Sequence, residues 1–263
     1  GPDNLSNPSN NEIMPSTNTH LIFWLPTGYH FSNEGSAGSD AHDTDYENRM
    51  IKYFQDVGGS QLLNTATQYC GNNGCITNSS TFVDSVLDTT TYDTYHGPNT
   101  GTSGNPLKQG DLNTEVFNQI GAHSWPLGMN DMYFIFLPNN VKDCDNGGTN
   151  CNSNTYCAYH TYGFSGSNDA AHSFVWADIP DNRSNYTSGG CGDSLVTGNE
   201  AADTTISSVQ HEHLEAITDP RLNAWQDSSG GSGENGDKCN RNMGVANASS
   251  TTANNYLGPA HTD

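Results

Sequence analysis

The chain has 263 residues, of which 29 are acidic and 8 are lysine or arginine, giving a formal charge of −21. That charge repels nucleic acid and anionic membrane surfaces, so neither is an expected partner. Charged residues are only 14% and aromatics 10%, which excludes a charge-rich disordered chain and suits a secreted domain with long polar loops.

Residues 1–18 are polar, carry Pro2, Pro8 and Pro15, and are expected to form a flexible N-terminal arm before a single domain over 19–263. The continuous apolar run His20–Pro26 predicts a strand buried on both faces. Helical spacing of Met50, Tyr53, Phe54 and Val57 predicts a helix over 46–57, ended by Gly58. Thr65–Cys70 and Ser80–Val86 read as strands flanking a cysteine turn. Asp111 is expected to N-cap a second helix to Ile120, with Val116, Phe117 and Ile120 facing inward. Met132–Pro138 is another buried strand, Tyr156–Tyr162 alternates like a half-exposed one, and Ser173–Pro180 is a strand expected near an edge. A last helix enters through residues 199–206 and stops at Asp219-Pro220, where proline cannot continue it. This order suits an α/β (α+β) fold, a mixed sheet with the last helix packed beneath it.

No apolar run reaches membrane-spanning length, and no secretory leader opens the sequence, so a mature or trimmed form is expected. Seven cysteines, Cys70, Cys75, Cys144, Cys151, Cys157, Cys191 and Cys239, fall in Gly/Asn-rich surroundings that suit disulfides in an oxidising compartment. Cys70 and Cys75 bracket a turn and are expected to pair. Cys144, Cys151, Cys157 and Cys191 can form two more bridges in a connectivity the spacing does not fix, and Cys239 is left over. Sequons at Asn4, Asn78, Asn182, Asn185 and Asn247 would mark a glycoprotein where the source glycosylates.

The last helix carries the chemistry. Its sequence His211-Glu212-His213-Leu214-Glu215 reads H-E-x-x-E, one residue from the H-E-x-x-H of zinc peptidases. Residues four apart share a helix face, so His211 and Glu215 project together and can share a metal. Glu212, on the adjoining face, is the candidate general base. His213 lies about 200° from His211 at 100° per residue, beside Val209 and Ala216, and is expected in the core. Downstream, Glu234 or Asp237 supplies the third ligand, from what the glycines around it predict to be a loop. One imidazole with two carboxylates fits Zn2+, while Mn2+ and Ca2+ compete as oxygen replaces nitrogen.

The stretch His211–Trp225 followed by Glu234-Asn235-Gly236-Asp237-Lys238-Cys239 resembles the signature of the phosphate-induced protein (EXORDIUM-like) family and its secreted microbial relatives, H-E-x-x-E-A-x-T-[DN]-P-x-x-N-A-W and then E-x-x-D-x-C. Phe134–Pro138 and Cys157-Ala158-Tyr159-His160 extend the likeness upstream, to about residues 20–243. The resemblance implies a zincin-like fold, an extracellular setting and a site gathering His211, Glu212, Glu215, Thr218, Asp219, Glu234, Asp237 and His160. Trp225 is expected to act as a packing anchor beside it. Family members continue to a further cysteine, the expected partner of Cys239.

Three functions follow as expectations. The first is a secreted metal-dependent peptidase acting on a polypeptide substrate. The second is a non-catalytic extracellular module holding a structural ion or only a hydrogen-bond network, with an extracellular matrix component as its expected partner. The third is a cell-wall or glycan binder using Tyr29, Trp125 and Tyr186 as stacking faces. Serine or cysteine nucleophilic catalysis is not expected, since no G-x-S-x-G occurs.

Overall fold

A computed structural model describes residues 5–31, 39–152, 155–181, 191, 199–227 and 233–238. Cys239, Tyr186 and the sequons at Asn4, Asn182, Asn185 and Asn247 lie outside the described residues.

Five strands form the main sheet: β1 (Thr17–Trp24), β2 (Ser80–Asp88), β3 (Asp131–Leu137), β4 (Tyr159–Phe164) and β5 (Ser173–Pro180). Their spatial order is β2-β1-β3-β5-β4. The first four in that order run parallel, and β4 closes the sheet as an antiparallel edge. The expected mixed α/β sheet is therefore present. β5 is not at the edge: it lies between β3 and β4 and is buried along its length. Its apolar residues on both faces require cover on both faces.

Alternation of side chains along the strands makes two cores. Leu21, Phe23, Phe134, Phe136, Val175 and Ala177 face helices α1 (Asp40–Asp56) and α3 (Glu200–Thr218). Ile22, Trp24, Tyr133, Ile135 and Trp176 face helix α2 (Gln109–His123). Burying each such side chain contributes about 1.5–3 kcal/mol, so the three layers are held mainly by the sheet's two apolar faces. None of the described helices is long and apolar enough to cross a membrane.

Several local expectations change. Residues 5–18 are packed rather than loose: Ile13 and Met14 are fully buried, and Leu5–Ser6 pairs with Gln226–Asp227. The Met14 N–H donates to the Ile217 carbonyl at 2.9 Å, tying this segment to α3. Thr65–Gln68 is a 3-10 turn, because the hydroxyls of Thr65 and Thr67 donate to carbonyls three residues back. α1 begins at Asp40, and Gly58 serves close approach rather than termination: a Cβ there would lie 2.1 Å from the Ser80 carbonyl oxygen. α2 begins before Asp111, whose carboxylate accepts the Lys108 N–H at 2.6 Å from inside the first turn. Leu112, Val116 and Ile120 form the buried stripe, which leaves Phe117 40% exposed against Phe174.

Among the described residues three disulfides tie the loops: Cys70–Cys75, Cys144–Cys151 and Cys157–Cys191. The first is the expected turn bridge. The second and third settle the open connectivity, and Cys157–Cys191 anchors the chain just ahead of β4.

Candidate metal centre

Helix α3 starts where the Asn199 side chain accepts the Ala202 N–H, and it ends at Thr218 before Asp219-Pro220. Thr218 is buried and caps inward, its hydroxyl donating to the carbonyls of Leu214 and Glu215. The helix packs against β5, β4 and α1. His211 and Glu215 share one face as the four-residue spacing requires, with Nε2 2.9 Å from Glu215 Oε1. His213 turns the other way and is fully buried, its ring nitrogens 3.4 Å from Thr17 Oγ1 and Tyr53 Oη. Burial pushes its pKa down to about 4, so it is a neutral core residue, as expected.

Glu234 lies in non-helical backbone, as the glycines predicted, and Asp237 sits on a short helix just after it. α4 (Asn235–Lys238) is one turn laid across α3, with Glu234 immediately before it. The turn forms because α3 supplies its partners: the Asp237 N–H donates to Glu215 Oε1 at 3.0 Å and the Asn235 amide donates to the Leu214 carbonyl at 3.2 Å. Contact is too close for a side chain at Gly236, where a Cβ would lie 2.8 Å from Glu215 Oε1 and 3.0 Å from His211 Cδ2. Asp237 Oδ1 then lies 3.6 Å from His211 Nε2. His211, Glu215 and Asp237 form one group whose ligand atoms lie within 4.8 Å of one another.

Glu234 goes elsewhere. Its Oε1 lies 3.8 Å from His160 Nε2. His160 comes from β4, where pairing with Ala177 on β5 aims it at α3. Its Nδ1 is 3.5 Å from Glu212 Oε2 and 3.8 Å from Glu215 Oε2, a second group of one imidazole and two carboxylates. The Nε2 side faces the Asp219 carbonyl oxygen at 3.1 Å. Asp219 also orders the following turn, its Oδ1 accepting the N–H groups of Asn223 and Ala224. Trp225 is an anchor there: its indole N–H donates to the Cys70 carbonyl at 2.9 Å, and its ring meets Tyr69 edge-on.

The electrostatics follow from this crowding. Burial disfavours a charged His160, but the Glu212 carboxylate beside its Nδ1 and the charges of Glu234 and Glu215 overcome that and hold its pKa at about 10. His211 is held at about 9 by Glu215, Glu212 and Asp237, again against burial. Burial raises Glu234 to about 8 and also raises Glu212, although His160 opposes both shifts. Glu212 is 4% exposed, and its Oε2 and Glu234 Oε1 are buried with no well-formed hydrogen bond. Buried carboxylate oxygens left without donors are what a cation would satisfy.

Among the described residues one further His–acid group, His30 with Asp40 and Asp43, adjoins α1; Asp43 is used by His30 and by the Phe31 N–H, and no spacing in the sequence marks it. Two of the three expected sugar platforms, Trp125 and Tyr29, lie among the described residues. Trp125 is 8% exposed beside His20 and His123, and Tyr29 packs edge-on against Tyr92. Comparison with family models, curated proteins and solved structures found no match to this chain.

Proposed function

We propose that the protein is a secreted, zincin-like metal-dependent peptidase. The observation that carries this reading is the convergence of His211 and Glu215 on α3 with Asp237 on α4, beside the buried carboxylate of Glu212. Two protein oxygens and one imidazole nitrogen suit Zn2+, with Mn2+ or Ca2+ as alternatives. A bound cation supplies Lewis acidity and lowers the pKa of water near it.

The remaining work belongs to the chain's own side chains. Glu212, raised above the usual carboxylate range by burial, is the side chain suited to accept a proton. His160 holds Glu212 Oε2 from the β4 side and can stabilise its charge. Asp219 orients His160 through its carbonyl, and Gly236 lets α4 approach closely enough to place Asp237. A parallel sheet closed by one antiparallel edge strand, with the motif helix beneath, supports the zincin-like part of the reading. The motif also supports membership in the EXORDIUM-like family, and the three disulfides support an oxidising, extracellular setting.

The near-complete burial of Glu212 favours a second reading, a non-catalytic module with a structural cation. The two separate in one experiment. Wild type and Glu212→Gln are incubated with a library of unstructured peptides and cleavage is read by mass spectrometry. The peptidase reading expects cleavage by wild type that the variant loses by 100-fold or more. Equal cleavage by both would refute Glu212 as base. No cleavage by either, with cation removal still lowering the melting temperature, would select the structural reading.

A further inference from the structure

Glu215 uses its two oxygens on two different sides. Oε1 lies 2.9 Å from His211 Nε2 and Oε2 lies 3.8 Å from His160 Nδ1. Each side has its own second carboxylate, Asp237 toward His211 and Glu212 toward His160. Each group supplies one imidazole nitrogen and two carboxylate oxygens within 4.8 Å of one another. We propose that the site holds two divalent cations bridged by the Glu215 carboxylate, one at His211 and Asp237 and the other at His160 and Glu212. This inference rests on the metal-site reading above and extends it.

Three observations beyond the grouping of acids carry it. His160 Nε2 is placed to donate to the Asp219 carbonyl at 3.1 Å, which leaves Nδ1 as the ring nitrogen facing Glu212 and Glu215. A histidine whose other ring N–H is held by a backbone carbonyl is the usual arrangement of a metal ligand. Second, Nδ1 sits 3.5 and 3.8 Å from its two carboxylate oxygens, long for hydrogen bonds but suited to atoms sharing a cation at about 2.0–2.2 Å from each. Third, Glu212 Oε2 and Glu234 Oε1 are buried without donors around this imidazole, so the second pocket has unmet demand for positive charge.

Carboxylate-bridged pairs of this kind sit about 3.5–4 Å apart in hydrolytic enzymes that act on phosphate esters or on peptide N-termini. A Glu212 whose carboxylate would hold the second cation is a weaker base than the free group, so in this arrangement it would act chiefly as a ligand. The cation pair narrows the substrate class to peptides or esters presenting two adjacent oxygen or nitrogen ligands, such as a free N-terminal amine beside its carbonyl.

The test is the stoichiometry of Mn2+ binding to the full chain after chelator treatment, read by calorimetry, with electron paramagnetic resonance of the loaded protein. The inference expects two equivalents and the signal of an exchange-coupled pair. His160→Gln is expected to bind one equivalent with an uncoupled signal. One equivalent in wild type overturns the bridged pair while leaving the His211 site standing. No binding of Mn2+, Zn2+ or Ca2+ overturns both. Two equivalents without coupling place the second ion elsewhere and overturn the bridge. Wild type alone decides these outcomes if His160→Gln fails to fold.

Discussion

The Asp237 backbone N–H donates to Glu215 Oε1 at 3.0 Å, so the turn that brings the third ligand is fastened to the second ligand itself. Sequence distance between them is bridged by one hydrogen bond and by the absence of a side chain at Gly236.

Gly236→Ala should therefore act on the site more than on the fold. The added methyl would sit 2.8 Å from Glu215 Oε1, and α4 must lift to admit it. Overpacking of this kind costs about 1–3 kcal/mol. The expected result is at least tenfold weaker cation binding by calorimetry, with the far-UV circular dichroism unchanged. Wild-type affinity in the variant would mean that α4 does not contribute a ligand.

Protons and cations compete for the two imidazoles. Their metal-free pKa values, about 9 for His211 and about 10 for His160, lie above the usual value for histidine, about 6.5. Cation affinity should rise about tenfold per pH unit for each proton displaced below pH 9. A raised folded pKa contributes stability that is complete below about pH 6.5 and lost as pH rises through the folded value. The metal-free protein should thus lose melting temperature between pH 7 and 10, and the loaded protein should lose less. Parallel profiles for the two forms would contradict the placement of the imidazoles among the ligands.

His213 runs in the opposite sense. Its folded pKa, lowered to about 4 by burial, means the unfolded chain takes up a proton that the folded one refuses. Stability should fall as pH drops from about 6.5 to 4, by an amount on the order of 3 kcal/mol. Urea denaturation of wild type and His213→Gln over that range checks it, since the variant should show a shallower slope.

Much of the fold was legible because apolar runs such as Phe134–Leu137 need cover on both faces, yet the same signal in Phe174–Ile179 was read as an edge strand and belongs to a central one. His211 and Glu215 were legible from helix period alone. The separation of Glu234 from Asp237 was not, since both follow one glycine-rich stretch and only the docking of α4 on Leu214 and Glu215 sends them to different imidazoles. His160 could be named only through family resemblance: its place at the site depends on pairing with Ala177, a long-range register that local sequence does not encode. Thr65–Gln68 misled because threonine favours strands, yet its hydroxyl can close a turn onto nearby carbonyls.

The disulfide before β4 should hold His160 in place. Cys157 and Cys191 are 34 residues apart, and loop-closure entropy assigns such a bridge about 4 kcal/mol. The Cys157→Ser, Cys191→Ser double variant should melt at least 5 °C lower. Its cation affinity should fall as well, because the strand carrying His160 loses its anchor. An unchanged affinity with a lower melting temperature would confine the bridge to a structural role.

The most direct measurement is elemental analysis of the purified protein after equilibration with Zn2+ and dialysis, for wild type and His211→Ala. Retained zinc of at least one equivalent in wild type, lost at the His211 position in a variant of unchanged circular dichroism, is the result expected of a metal centre on α3. Zinc absent from wild type, or retained equally by both proteins, would contradict it.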